Sequence, residues 1–225
     1  MDQKRIHNKL PVAWEGIPFI LIGIGFTSIL LIINWESLAI PLAVLTLLTI
    51  YFFRDPERTH VTNEKAVLTP ADGKIISIDK LNNGDNHFQD RAIKISIFMS
   101  IFNAHINRIP IRGKIAQLSY HPGKFFSANR DKASLCNEHN IVTLETYNRK
   151  KIVFVQIAGL IARRISCWVN KGDYVETGQR FGLIRFGSRL EVYLPHDSSL
   201  MVEKGGKVKA GQTVIGYLSE SENKK

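Results

Sequence analysis

A mainly β domain preceded by an N-terminal helical hairpin is the architecture this sequence predicts, and three observations predict it. Residues 16–34 and 37–53 contain no charged side chain and are rich in Ile, Leu and Phe. From Ala66 onward the pattern changes to short β-branched runs separated by turn clusters. In the last third, one turn pattern occurs twice. The expected organisation is a membrane hairpin over 1–58 with helices at about 16–34 and 37–53, a β-rich domain over 59–218, and a disordered polar tail over 219–225.

The hairpin comes first. At about 1.5 Å per residue each apolar run reaches roughly 25–29 Å, close to the thickness of a bilayer's hydrocarbon core. Only Trp35 and Glu36 separate the runs, which leaves room for a tight helical turn and nothing more. A cleaved signal peptide does not fit two successive runs with no small-residue cleavage site between them. Lys4, Arg5 and Lys9 precede the first run, and Arg54 and Arg58 follow the second. Cations at both ends put both ends, and everything after Phe53, on the cytoplasmic face of the cell (inner) membrane. The second run is short and carries Pro41, so a shallow, partly inserted hairpin stands beside a full span, and a buried core hairpin is the plainer alternative.

In the β-rich part, 74–79, 92–99, 113–120, 140–146, 151–157, 180–184 and 190–194 read as strands, and 125–135 as a short helix. The turn pattern Val169-Asn170-Lys171-Gly172, continuing through Val175 to Gly178-Gln179, matches Val202-Glu203-Lys204-Gly205, continuing through Val208 to Gly211-Gln212. Lys-Gly sets a tight turn, the valine packs inward, and the second glycine turns the chain into the next strand. This pattern resembles the barrel-sandwich folds of biotinyl and lipoyl carrier domains, so the fold class expected is a barrel-sandwich or lipoyl-like β domain with few short helices.

The formal net charge is +10 over 225 residues. Such a balance suits an anionic membrane surface or an acidic substrate. No zinc-finger, helix-turn-helix or aromatic-basic pattern accompanies it, so nucleic acid is not the expected partner. Cys136 and Cys167 lack CxxC spacing and are expected as unpaired thiols. The seven histidines show no HExxH or similar spacing, and no metal is inferred.

Several polar residues stand where packing alone has no use for them. Gly187-Ser188, within Arg185-Phe186-Gly187-Ser188-Arg189, lies between the two copies of the turn pattern. Glycine tolerates a strained peptide bond, and a hydroxyl beside such a bond can attack the carbonyl before it; a simple tight turn is the plainer alternative. Asp72 sits in the turn Thr69-Pro70-Ala71-Asp72-Gly73-Lys74, where an Asx turn would also explain it. His105 follows an apolar strand in Phe102-Asn103-Ala104-His105-Ile106-Asn107-Arg108-Ile109-Pro110, and His121 and Lys124 flank a turn at Pro122-Gly123.

Taken in order, PADGKI at 70–75, FNAHINRIP at 102–110, HPGKFFSAN at 121–129, NEHN at 137–140, ARRI at 162–165, GLIRFGSR at 182–189 and Leu194-Pro195 resemble the phosphatidylserine decarboxylase proenzymes, in their short, archaeal-type branch. The resemblance implies a self-cleaving carboxy-lyase. Ser188 attacks the Gly187 carbonyl, the amide becomes an ester, and elimination and hydrolysis leave a pyruvoyl group where Ser188 stood. His105 is implied as the base and Asp72 as the residue that orients it; His121 and Lys124 are candidate substrate contacts, with Arg108 and Arg189 as other candidates for a phosphodiester. The products are a β chain of 1–187 and an α chain beginning at position 188, which stay associated; a homo-oligomer is compatible with this. The pyruvoyl ketone forms a Schiff base with phosphatidylserine in an anionic bilayer and withdraws electrons as carbon dioxide leaves, in place of pyridoxal phosphate and without a metal. Phosphatidylethanolamine is the product. Two other readings share parts of the pattern. A membrane-anchored barrel-sandwich adaptor or carrier module shares the hairpin and the repeat, and a membrane-bound serine hydrolase shares the hairpin and a reactive serine.

Overall fold

The computed structural model describes residues 1–61, 63–82, 91–123, 137–159, 164–185 and 188–219. Helices α1 (Gln3–Ile6), α2 (Ile17–Ile32) and α3 (Glu36–Phe52) come first, with a 3-10 turn over Trp14–Gly16 leading into α2. The strands follow: β1 (Ala66–Leu68), β2 (Gly73–Leu81), β3 (Ala92–Met99), β4 (Ile106–Arg108), β5 (Gly113–His121), β6 (His139–Glu145), β7 (Lys151–Ile157), β8 (Ile165–Cys167), β9 (Tyr174–Val175), β10 (Arg180–Ile184), β11 (Ser188–Pro195), β12 (Ser199–Leu200), β13 (Lys207–Val208) and β14 (Val214–Tyr217). The mainly β class with few helices is as the sequence predicts. The helix expected over 125–135 lies outside the described residues, as do Cys136 and 220–225 of the tail, whereas Ser219 is held by Asp197 and Lys150.

An eight-stranded antiparallel sheet runs in the order β13-β2-β3-β11-β7-β6-β5-β9, flanked by the three-stranded sheets β1-β14-β12 and β4-β10-β8. This order has a two-fold pattern. Exchanging β1 with β4, β2 with β5, β3 with β6, β11 with β7, and β12–β14 with β8–β10 maps the fold onto itself. The hydrogen bonds repeat accordingly. Arg108 N donates to Pro70 O and Leu68 N to Pro110 O; Gly178 N donates to Ile109 O and Gly211 N to Thr69 O. The paired turns agree in backbone geometry, with φ of 92° and 93° at Gly172 and Gly205, and 76° and 68° at Gly178 and Gly211. The turn repeat seen in the sequence is therefore one half of a larger repeat, whose other half shows in sequence as Pro70 and Gly73-Lys74-Ile75 against Pro110 and Gly113-Lys114-Ile115.

Inward residues of both units form a single core that includes Ile75, Ile97, Ile115, Leu144, Phe154, Phe181, Leu190 and Val192, all buried. The hairpin differs. Helix α2 buries none of its residues, and Leu21, Ile22, Phe26, Ile32, Leu45 and Leu47 are exposed. Helices α2 and α3 pack closely at Gly23, where an added Cβ would lie 2.4 Å from Thr46 Oγ1. Trp14–Ile32 is long and apolar enough to cross a membrane, while Glu36–Phe52 is apolar but shorter. The end of α3 is joined firmly to the β domain. Asp55 is buried and accepts from Arg180 Nε at 2.9 Å and Asn8 Nδ2 at 3.0 Å, with Arg108 at 3.7 Å. Buried charges must be paired in this way, and removing one partner would leave the other uncompensated.

Candidate active site

Strand β11 begins at Ser188, directly opposite Met99 at the end of β3. Ser188 is thus part of the ladder. Its side chain is fully buried and Oγ donates to the Met99 sulfur at 3.4 Å. Gly187 lies outside the described residues.

His105 immediately precedes β4 and is fully buried. Nδ1 lies 2.9 Å from Asn103 O, and Nε2 has no partner among the described residues. A carbonyl can only accept, so Nδ1 carries the proton and the Nε2 lone pair is free. Burial pushes the imidazole down to about 4, the bond to Asn103 O opposes this, and the positive charge of Arg54 adds to it. The ring packs on Phe52, in the last turn of α3, with centroids 4.2 Å apart. His105 is therefore a neutral imidazole with an open acceptor at neutral pH.

Asp72 is also buried, but its described contacts do not reach His105. Oδ1 accepts from Ala210 N at 2.7 Å and Oδ2 from Arg58 Nη2 at 2.9 Å. Its turn nonetheless bears on His105 through the backbone, because Pro70 O accepts from Arg108 N on β4.

A chain of buried amides leads to Ser188, and sequence reasoning did not join its members. Asn140 Nδ2 donates to Gln156 Oε1 at 2.9 Å, and Gln156 Nε2 donates to Asn107 Oδ1 at 2.9 Å. Asn107 Nδ2 then faces the Met99 sulfur at 3.8 Å, from the side of β4. Ser188 and the segment carrying His105 thus meet at one thioether. In the sequence Asn107 and Asn140 stand inside the motifs FNAHINRIP and NEHN with no role assigned to them, and Gln156 interrupts the apolar run 152–157 at an inward position.

His121 is placed elsewhere. Cross-strand register aligns Arg189, Ile157, His139 and His121 in one row. Adjacent residues of a strand face opposite sides, so this row lies on the side of the sheet away from the Ser188 side chain. At about 4.8 Å per strand, His121 is roughly 14 Å from β11. It stacks on His139, 4.8 Å between centroids, and its Nε2 is 2.9 Å from Ser119 Oγ. Lys124 lies outside the described residues. Arg108 is committed to Gly178 O and Pro56 O, and Arg189 is buried against Ser96 Oγ and Glu191, each at 2.7 Å. Among the described residues, no group of three or more His, Cys, Asp or Glu side chains is placed to hold a metal ion.

Comparison with known proteins defines a class first: residues 45–216 match the family described as phosphatidylserine decarboxylase, a carboxy-lyase. The proteins named phosphatidylserine decarboxylase proenzyme from Desulfotalea psychrophila and Geotalea uraniireducens are each 47% identical to this chain, over 95% and 94% of it and 99% of their own length. That from Syntrophus aciditrophicus is 49% identical over 91% of this chain and 96% of its own. The chain belongs to the phosphatidylserine decarboxylase family. Membership sets aside the adaptor and hydrolase readings.

Proposed function

We propose that this chain decarboxylates phosphatidylserine to phosphatidylethanolamine with a pyruvoyl group made from its own Ser188. The reading rests on one juxtaposition: an occluded serine hydroxyl at the start of β11, beside the segment that holds a buried imidazole with an unpartnered Nε2. Serine is a weak nucleophile until a base takes its proton. In this reading His105 Nε2 accepts that proton as Oγ bonds to the Gly187 carbonyl carbon. The Gly187–Ser188 C–N bond then breaks, and its nitrogen takes up a proton to become the free amine of the new ester. Elimination across the serine Cα–Cβ bond releases the Gly187 carboxylate, and hydrolysis of the resulting dehydroalanine releases ammonia. The residues fit the group so formed, since it replaces a side chain that is already buried and needs no separate binding pocket. It supplies the electron-withdrawing carbonyl that decarboxylation of an amino-acid headgroup requires.

Neighbouring residues set the state of His105. Asn103 O fixes the tautomer, and Asp72 acts one step away, by keeping its turn against β4. Cleavage would not release the α chain. Its first strand, β11, is paired on both sides with β3 and β7, and β14 and β13 pair with β1 and β2.

In the same reading 1–58 is the membrane unit and 59–218 the catalytic domain on the cytoplasmic face. The hairpin keeps the enzyme beside a substrate whose acyl chains stay in the bilayer.

Intact-mass analysis of the purified protein tests the proposal. Two chains are expected, divided between Gly187 and Ser188, the smaller with a blocked N-terminus that borohydride reduces. Ser188→Ala should remain one chain without activity. An active preparation containing only full-length chain would sink the pyruvoyl reading.

A further inference from the structure

The loop between β3 and β4 has an unusual tip for a β domain. Ile101 and Phe102 are adjacent and 47% and 63% exposed. The tip is braced, not slack: Asn103 Oδ1 accepts from Ser100 N at 2.9 Å and Ser100 Oγ at 2.8 Å, and Asn103 N donates to Ser100 O. A short turn locked in this way holds two large apolar side chains out in fixed positions.

The tip is also tied to the hairpin. Arg54 follows the last turn of α3; its Nη2 donates to Phe102 O at 2.8 Å and its Nη1 to Tyr51 O at 2.7 Å. The guanidinium lies 3.9 Å from the centre of the Tyr51 ring. A tyrosine and an arginine at the end of a helix whose sole charged residue, Glu36, lies at its opposite end are the residue types that settle at the boundary between acyl chains and water. The bond to Phe102 O places the loop tip at that boundary, continuous with the exposed apolar surface of α2 and α3. The base of the same loop holds His105, through Asn103 O, and Phe52 of α3 packs on that ring.

We propose that Ile101 and Phe102 insert into the lipid surface beside the hairpin, so that the loop carrying His105 is itself a membrane contact. The occupant of this surface is the bilayer. The consequence is a site that opens at the depth of lipid headgroups, where the substrate's carboxylate and amine already lie. The inference rests on the hairpin being membrane-inserted, and the test separates the two.

Full-length protein carrying Phe102→Trp is reconstituted with vesicles of phosphatidylcholine and phosphatidylglycerol, and the emission of the parent, with Trp14, Trp35 and Trp168, is subtracted. The added indole is expected to shift to the blue, to be quenched by lipids brominated on the acyl chains, and to be shielded from aqueous iodide. Flotation with the vesicles while iodide still quenches the indole overturns the loop contact and leaves the hairpin reading intact. Failure to float overturns both. Shielding without lipid that varies with protein concentration assigns the surface to a second copy of the chain and overturns the proposal. A second arm uses Ile101→Ser with Phe102→Ser. Losing the transfer of two large side chains should reduce turnover of vesicle-borne phosphatidylserine about tenfold or more, while self-cleavage and turnover of a short-chain, monomeric phosphatidylserine stay at the parent level. An equal loss on both substrates makes the loop merely structural and overturns the proposal.

Discussion

The two units of the β domain share a plan and differ most where their central strands end. In the second unit, β6 runs into β7 through a tight hairpin, closed by Thr146 N donating to Lys150 O and by Lys150 N donating to Thr146 Oγ1. In the first unit the equivalent strands are β3 and β11, and no hairpin joins them. Chain continues from Met99 toward His105, and β11 arrives from far along the sequence with Ser188 at its start. The candidate site occupies the gap where the first unit lacks the second unit's turn. The same contrast holds nearby. Asp72 accepts from Ala210 N through its side chain, whereas its counterpart Arg112 donates its backbone N–H to the side chain of Thr177, the counterpart of Ala210. Repetition builds the scaffold, and the departures from repetition hold the residues of the candidate site.

The largest expected effect breaks that contrast directly. His105 corresponds to Lys65 in the other unit. His105→Ala should slow self-cleavage by roughly 10²–10⁴-fold, the usual worth of a general base, while Lys65→Ala leaves it unchanged. The time course of the uncleaved fraction, read by intact mass, checks both. Normal cleavage in His105→Ala would remove this residue from the role of base.

Acid should expose the same asymmetry. The folded imidazole is held down to about 4 by burial, against about 6.5 when unfolded. Below pH 6.5 the unfolded chain takes up a proton that the folded chain refuses. Stability from this group is thus complete at neutral pH, falls as pH drops from about 6.5, and levels off near 4, a change of about 3 kcal/mol. The cleavage rate should hold from pH 7 to about 5 and halve near 4. Paired urea titrations of the Ser188→Ala parent and the same protein with His105→Ala would isolate the stability part, and a rate that halves near 6.5 would mean that the base is exposed or is another group.

Much of this was legible in the sequence, for identifiable reasons. The apolar runs, the strands and the turn repeat at Lys171-Gly172 and Lys204-Gly205 are local patterns, fixed by periodicity and by positions that need positive φ. The ordered motifs pointed to the family, and the proposal for Ser188 and His105 starts from them. What was not legible depends on register. Asn140 and Gln156 become partners only because β6 and β7 align them, and Asn107 joins them only because β4 packs below the same sheet. The first-half repeat was hidden because strands that share a backbone path need share only inward apolar character. His121 depends on register too: its neighbourhood in a family motif suggested a substrate contact, and one residue of pleat and three strands of sheet separate it from Ser188.

The amide chain offers a smaller test, because the counterpart of Asn107 is the apolar Val67. Asn107→Val makes the two strands alike at this position and leaves Gln156 Nε2 without its acceptor. An unsatisfied buried donor costs about 1–3 kcal/mol, to be read as a lowered urea midpoint. Adding Gln156→Leu removes the orphaned donor, and the double variant should lose less than the sum of the single ones. Strict additivity would show that the two amides are not one unit.

The smallest effect tests the scaffold itself. Gly172 and Gly205 hold φ of 92° and 93°, and an added Cβ meets nothing within 4 Å at the first and only Lys74 Cε, at 4.0 Å, at the second. Sterics beyond the residue itself therefore contribute almost nothing, and alanine is disfavoured at both positions by backbone strain alone, about 1–2 kcal/mol in each. Gly172→Ala and Gly205→Ala should lower stability by equal amounts, although the proposed cleavage would put the second in the α chain and the first in the β chain. Neither should slow cleavage, since neither turn touches Ser188, Met99 or His105. Unequal losses would mean that the two turns carry different loads in the folded protein, and that the two-fold pattern describes their shape but not their energetics.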